Sequence, residues 1–146
     1  MKKKSERLTV VLALAERKER AAMEVLAGKR NYRDQQQTQL DSLKSYHTQY
    51  VDDLKQNMTG TVDVNHLQAN LLFMNQIDAA IQQQEGITKI AQDEFNHALK
   101  IWTDFHQKTK GMSDLVDRYR NEEFQAVEKK QQKQIEDDLS ARRYRR

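Results

Sequence analysis

The sequence contains no proline, no cysteine and only four glycines in 146 residues. Proline costs roughly 3 kcal/mol inside a helix because it removes a hydrogen bond and clashes with the preceding turn, so its absence leaves long helices uninterrupted. The lack of cysteine excludes a disulfide framework and a thiolate metal site, and it suits a reducing cytoplasm.

Long apolar runs are also missing. None approaches the ~20 residues that a membrane-spanning helix needs, and Glu16, Arg17 and Lys18 interrupt the first apolar stretch too early for a signal peptide. We therefore expect a soluble, unprocessed, cytoplasmic chain. Charged residues make up 32% and hydrophobic ones 37%, with a mean hydropathy of -0.99. This composition is too polar for an ordinary globular core and favours a long-helix or coiled-coil protein.

Apolar residues recur at alternating steps of four and three residues in both halves of the chain. The steps run from Leu8 to Leu54 and from Leu67 to Ala126, and they meet apolar residues at most positions. Such a seven-residue repeat forms one narrow stripe on each helix, which is the seam of a coiled coil. The large residues of the predicted seam are Leu8, Leu12, Leu26, Leu40, Leu54, Met74, Ile81, Phe95, Trp102 and Phe105.

Helix stop and start signals lie close together near the middle of the chain. Gly60 can adopt the left-handed conformation that ends a helix, and Asp63 can cap a helix that begins near Val64. A short connection favours antiparallel neighbours. We predict an all-α fold, a long antiparallel two-helix coiled coil (a helical hairpin) about 80 Å long. It would be a single domain over residues 1–146, with helices at about 5–58 and 64–140 and a turn at about 59–63.

Folding at this turn makes the numbers of facing positions sum to about 122. On that register the polar residues of 29–36 face residues 84–88, so the middle of the hairpin is predicted to be polar and soft. The second helix has no predicted partner beyond about Asp117. Residues 118–146 would form an overhanging C-terminal helix or a frayed tail.

Near the turn, the sequence has more apolar surface than a two-helix seam can bury. Tyr46, Phe73 and Ala80 lie one position off the seam and form a neighbouring stripe. These side chains either fold over the edge of the seam or form a docking site for a partner.

The segments "YHTQYVDDLKQNMTG" and "LLFMNQIDAAIQQQ", with the Trp102 segment that follows them, resemble the FliJ family. These are small accessory proteins of the bacterial flagellar type III export apparatus. The resemblance implies an antiparallel two-helix coiled coil similar to the central stalk of rotary ATP synthases. By matching positions, the family's gate-docking surface would comprise Gln39, Leu43, Tyr46, Tyr50, Phe73, Ile77, Ala80 and Gln84.

The resemblance also implies partners. They are the hexameric export ATPase, the cytoplasmic domain of the export gate protein, and export chaperones. The chain would then couple the ATPase to the gate, handle chaperones, and lie at the inner face of the bacterial cell membrane as a peripheral part of the export apparatus. Flagellum biogenesis and chemotaxis would depend on it. The alternative is a generic coiled-coil adaptor or chaperone of a related type III secretion system.

Patterns typical of catalysis or cofactor binding are scarce. The sequence has no nucleophile motif, glycine-rich phosphate loop or Walker motif. Glu94 and His97 form one E-x-x-H pair, but a di-iron site uses two such pairs and two more carboxylates. His47 lies on the seam and is either an accommodated polar residue or a pH sensor. We expect no metal, no cofactor and no enzymatic activity.

The formal net charge is +3, and positive charge is concentrated at residues 2–4 and in the terminal "ARRYRR". Basic clusters of this kind bind acidic protein surfaces, nucleic acid or anionic lipid. Acidic and basic residues are interspersed along the rest of the chain, and no groove-reading motif is present. We therefore expect solvated charge or an acidic protein partner before a nucleic acid or membrane surface.

Overall fold

The structure is a computed structural model that describes residues 3–57 and 63–145. Helix α1 spans Lys4–Asn57 and helix α2 spans Val64–Tyr144, and the described residues contain no strand. The two long helices pack against each other, which confirms the predicted all-α helical hairpin. None of the described helical segments combines the length and apolarity that a bilayer crossing needs.

The start of α2 follows the predicted capping chemistry. Asp63 Oδ1 accepts a hydrogen bond from the Asn65 amide at 3.3 Å, and the Asp63 carbonyl accepts one from the Leu67 amide at 3.0 Å. An acidic residue at this position satisfies an amide that has no partner within the first turn of a helix. The predicted helix stop at Gly60, and the predicted turn at 59–63 apart from Asp63, lie outside the described residues.

The chain divides into two compact units. The first joins Met1–Ala22 to Trp102–Arg146, and the second is Met23–Ile101. Both units therefore contain a segment of α1 and a segment of α2.

In the first unit, the two segments run antiparallel. The Thr109 hydroxyl donates to the Ala15 carbonyl at 3.2 Å, and His106 Nδ1 lies 2.7 Å from Glu19 Oε1. Higher-numbered residues of α1 therefore contact lower-numbered residues of α2. Val116 is 1% exposed and belongs to this unit's core.

Pairing in the first unit extends further along α2 than predicted. Ser5 is buried, and its amide and hydroxyl donate to the Glu123 carboxylate at 3.2 and 2.6 Å. The prediction that α2 lacks a partner beyond Asp117 is therefore wrong, because Glu123 is the acceptor for an amide in the first turn of α1 that has no acceptor in its own helix. The hydrogen bond from the Ser5 hydroxyl is the main cause that lowers the pKa of Glu123. Residues 124–145, the C-terminal segment, are exposed throughout.

In the second unit, the core combines large aliphatic and aromatic side chains with alanines. Its buried apolar residues are Leu26, Leu40, Ile77, Ala91, Phe95 and Ala98. The alanines allow the helices to approach closely, while leucine, isoleucine and phenylalanine fill the remaining volume. All ten large residues of the predicted seam are buried or half-buried.

A polar layer crosses the second unit. Gln84 Nε2 donates to Gln36 Oε1 at 2.8 Å and to the Gln36 carbonyl at 3.2 Å, and the Thr88 hydroxyl donates to the same carbonyl at 3.3 Å. The prediction of a polar contact between these parts of the two helices is confirmed. Because Gln84 reaches both acceptors on Gln36 only in this register, the layer favours one alignment of the helices.

Lys29 and Arg33 do not join this layer, so the predicted facing with 84–88 is wrong at these two positions. The estimated register itself places Lys29 opposite residue 93, next to its observed partner Glu94. Lys29 Nζ forms an ion pair with Glu94 Oε2 at 3.0 Å, and the Arg33 guanidinium lies 4.1 Å from the centre of the Phe95 ring. Long side chains on a helix lean toward its N-terminus, so in an antiparallel pair they reach higher-numbered residues of the other helix. Aromatic stacking thus accommodates a charged residue on the seam.

Candidate functional site

Three aromatic rings of the second unit form a cluster, which we call the aromatic patch: Tyr46, Tyr50 and Phe73. The Phe73 ring meets Tyr50 at a centroid distance of 4.8 Å and Tyr46 at 6.3 Å, both edge to face. The Tyr50 hydroxyl donates to Asn70 Oδ1 at 2.8 Å. This hydrogen bond fixes Tyr50 across the two helices, and Tyr50 in turn positions the Phe73 ring.

The eight predicted gate-docking residues differ in their accessibility. Tyr46 is 50% exposed and Gln39 is also exposed. Half-buried positions are Leu43, Tyr50, Phe73 and Ala80. Ile77 and Gln84 are each 6% exposed, so they belong to the packed interface between the helices. The surface that a partner can reach therefore excludes these two residues.

Sequence reasoning missed exposed aliphatic residues near the start of α2. Leu71 and Leu72 directly precede Phe73 and are both exposed, as is Val64 at the start of α2. A signal was present in the run "LLFM", because one narrow seam cannot bury four consecutive residues of a helix. Leu71 and Leu72 lie on other faces of α2 than Phe73, because successive residues of a helix are about 100° apart.

Polar contacts between the helices flank the same region. His47 Nε2 lies 3.0 Å from Asp78 Oδ1, and Lys44 Nζ lies 3.9 Å from Glu85 Oε1. The half-buried His47 therefore has a carboxylate partner, which explains how the seam accommodates it. Tyr46, which lies between Lys44 and His47 in the sequence, remains half exposed.

A different surface lies in the first unit, on the C-terminal segment. Tyr144 is 96% exposed, and the neighbouring Arg142, Arg143 and Arg145 are exposed as well. The segment also exposes large apolar residues, namely Phe124, Val127, Ile135 and Leu139. A helix that displays apolar side chains among cationic ones offers both contact area and charge to a partner.

The E-x-x-H pair does not form part of a metal cluster. Glu94 is engaged by Lys29, and no group of three or more potential metal-ligating side chains occurs within residues 3–57 and 63–145. The aromatic patch and the basic C-terminal segment are helical faces of the kind that suit protein recognition.

Two antiparallel helices with such faces define a helical interaction protein. The chain matches the model of the family described as flagellar FliJ protein over residues 3–146. It therefore belongs to the FliJ family, whose members are non-enzymatic components of the flagellar export apparatus. Neither the curated proteins nor the solved structures gave a match.

Proposed function

We propose that this chain couples the export ATPase to the export gate. The aromatic patch would dock the cytoplasmic domain of the gate protein, and the termini-bearing surface, including the C-terminal segment, would engage the ATPase ring. The observation that carries the proposal is that each compact unit has its own accessible surface: aromatic in the second unit, apolar and basic in the first.

The aromatic patch has the properties of a protein-binding anchor. Tyrosine is enriched among the residues that dominate binding energy because it offers large contact area and a polar tip at little entropic cost. Tyr46 is half exposed, while its ring is already paired with Phe73 in an edge-to-face arrangement. A partner would thus cover a ring that needs little further ordering.

The C-terminal segment fits the other partner. Its apolar side chains have no cover in the described structure, and its arginines would favour an acidic surface. By analogy with the central stalk of rotary ATPases, this end of the chain would sit in the pore of the hexameric ring. The proposal extends to contacts with export chaperones and to a peripheral position at the inner face of the cell membrane through these partners.

The test is to add the chain to the purified export ATPase and measure ring assembly and ATP hydrolysis. The wild-type chain should promote both. Leu139→Glu should abolish the stimulation without unfolding the protein, because Leu139 is exposed. Tyr46→Ala is the matched control and should stimulate as the wild type does, while binding the gate domain less tightly.

Two results would contradict the proposal. If the wild-type chain promoted neither ring assembly nor hydrolysis, a generic secretion adaptor would explain it better. If Tyr46→Ala abolished stimulation and left gate binding intact, the two partners would be assigned to the wrong surfaces.

A further inference from the structure

A groove that the proposed function does not use runs along the second unit. It has a volume of about 610 Å³ and lies between α1 and α2. Its lining residues are Glu24, Val25, Gly28, Lys29, Tyr32, Ile87, Ile90 and Glu94. None of them belongs to the aromatic patch, so we treat this Gly28 groove as a separate surface.

The walls of the Gly28 groove are apolar and accessible. Val25 is 55% exposed, Tyr32 44% and Ile90 61%. The repeat spacing puts Val25 and Tyr32 on one face of α1, three residues before and four residues after Gly28. Two helices thus present a second apolar stripe in addition to their shared seam.

Neither the backbone conformation nor the packing within the chain requires glycine at position 28. It has no positive φ, and a Cβ built on it would meet no atom within 4 Å. Glycine is less favourable than alanine inside a helix, so this position lowers helix stability without relieving a contact. Gly86 and Gly111 are equally open. Gly28 differs from them because it lies in an apolar groove, where a missing side chain lets another backbone or a large side chain approach.

The charged residues of the groove favour a cationic partner. They are Glu24, Lys29 and Glu94, and Lys29 is already paired with Glu94 at 3.0 Å. The remaining carboxylate of Glu24 gives the rim a net negative charge. An apolar segment flanked by lysine or arginine is therefore the complementary ligand.

We propose that the Gly28 groove binds one amphipathic helix of a partner protein, with a large apolar side chain over Gly28 and a basic residue beside Glu24. Recognition of this kind uses apolar side chains spaced three and four residues apart on the bound helix. The exposed parts of three side chains fall well short of the ~800 Å² per partner that a stable dimer buries. The groove thus fits a single docked helix with readily reversible binding.

A pair of synthetic helical peptides provides the probe. One has leucines at positions spaced three and four residues apart, flanked by lysines, and the other has glutamate in place of each lysine. Binding of each labelled peptide to the full chain is measured by fluorescence anisotropy. We expect the lysine peptide to bind about fivefold more tightly, with a preference that shrinks as salt is added.

Variants of the chain assign the binding to the groove. Gly28→Leu fills the space above Gly28 in the groove, so it should weaken binding of the lysine peptide about tenfold. Gly111→Leu is the matched control, since Gly111 is an equally open helical glycine in the first unit, and it should bind as the wild type does. Glu24→Lys should reverse the preference between the two peptides. Far-UV circular dichroism should show unchanged or increased helicity in both leucine variants.

The proposal is overturned if the peptides bind equally well, or if Gly28→Leu binds like Gly111→Leu. Sedimentation of the chain alone tests whether a second copy is the occupant. We expect a monomer at all concentrations used. A dimer that Gly28→Leu abolishes and Gly111→Leu preserves would show that the groove is a self-association surface, which would also overturn the proposal. Neither result depends on whether the chain stimulates the export ATPase.

Discussion

Replacing Tyr46 should separate partner binding from folding. Half of this side chain already lies in water, and its ring contact within the chain is an edge-to-face approach to Phe73 at 6.3 Å. An aromatic pair of this kind contributes about 0.5 to 1.5 kcal/mol beyond area burial. With burial of the other half of the ring added, Tyr46→Ala should lower the free energy of unfolding by about 1 to 2 kcal/mol.

Ile77 provides the contrasting substitution in the same unit. It is 6% exposed, so Ile77→Ala removes methyl groups from the packed interface and leaves a cavity. Substitutions of this type lower the free energy of unfolding by about 2 to 5 kcal/mol. Urea unfolding followed by circular dichroism at 222 nm measures the free energy of unfolding of both variants. If the dependence of this free energy on urea concentration is the same in both variants and the wild type, their unfolding free energies can be compared directly.

Binding to the gate domain should follow the opposite order. Loss of an aromatic anchor typically costs about 2 kcal/mol, which corresponds to roughly thirtyfold in Kd for Tyr46→Ala. Ile77→Ala should change the Kd little under conditions where it remains folded. Isothermal titration of the gate domain measures both. The reasoning fails if Tyr46→Ala unfolds as readily as Ile77→Ala, because the ring would then be part of the core.

Three further outcomes are expected. A double-mutant cycle of Arg33→Met and Phe95→Leu in urea unfolding should give a coupling energy of about 0.5 to 2 kcal/mol, and a value near zero would rule out a stacking contribution. The pKa of Glu123 is lowered mainly by the Ser5 hydroxyl, so the contribution of the carboxylate is complete above the ordinary glutamate pKa and is lost as the pH falls through the lowered value. The Ser5 amide, corrected for intrinsic exchange rates, should lose hydrogen-exchange protection as the Glu123 carboxyl becomes protonated. Glu123→Ala should show low protection at every pH, and protection that persists after NMR shows Glu123 to be protonated would contradict this. Amide hydrogens of residues 124–145 should exchange faster than that of Val116. Equal protection of the two would contradict the exposure of the C-terminal segment.

Periodicity was a good guide to which residues are shielded and a poor guide to what they touch. The step of four and three residues reached Leu26 and Val116, and both are almost fully buried. It also reached Arg33, whose contact with Phe95 could not be inferred from spacing, because side-chain length and direction decide that contact. Even so, the register estimated from the turn identified the partners of Gln36.

The candidate sites were only partly predictable for a related reason. A seven-residue repeat describes one stripe on each helix, so it cannot show which neighbouring positions remain exposed once two helices combine. Ile77 and Gln84 were included in the docking surface because the family resemblance was carried over position by position, although the repeat itself places both on the seam, where they are buried. The Gly28 groove was not foreseen because its walls lie off the repeat. The pairing of Ser5 with Glu123 was missed because it depends on where α1 begins.

Trp102 makes the intrinsic fluorescence of the protein sensitive to the structure of the first unit. It is the single tryptophan of the chain, and its ring stacks on His106 with centroids 4.9 Å apart and planes inclined by 16°. Its indole nitrogen is shielded, and no acceptor lies within hydrogen-bonding distance among the described residues. Indole emission is sensitive to solvent and to a stacked imidazole. A partner that loosens or tightens this end of the helix pair will therefore change the intrinsic fluorescence, with no label attached to either protein.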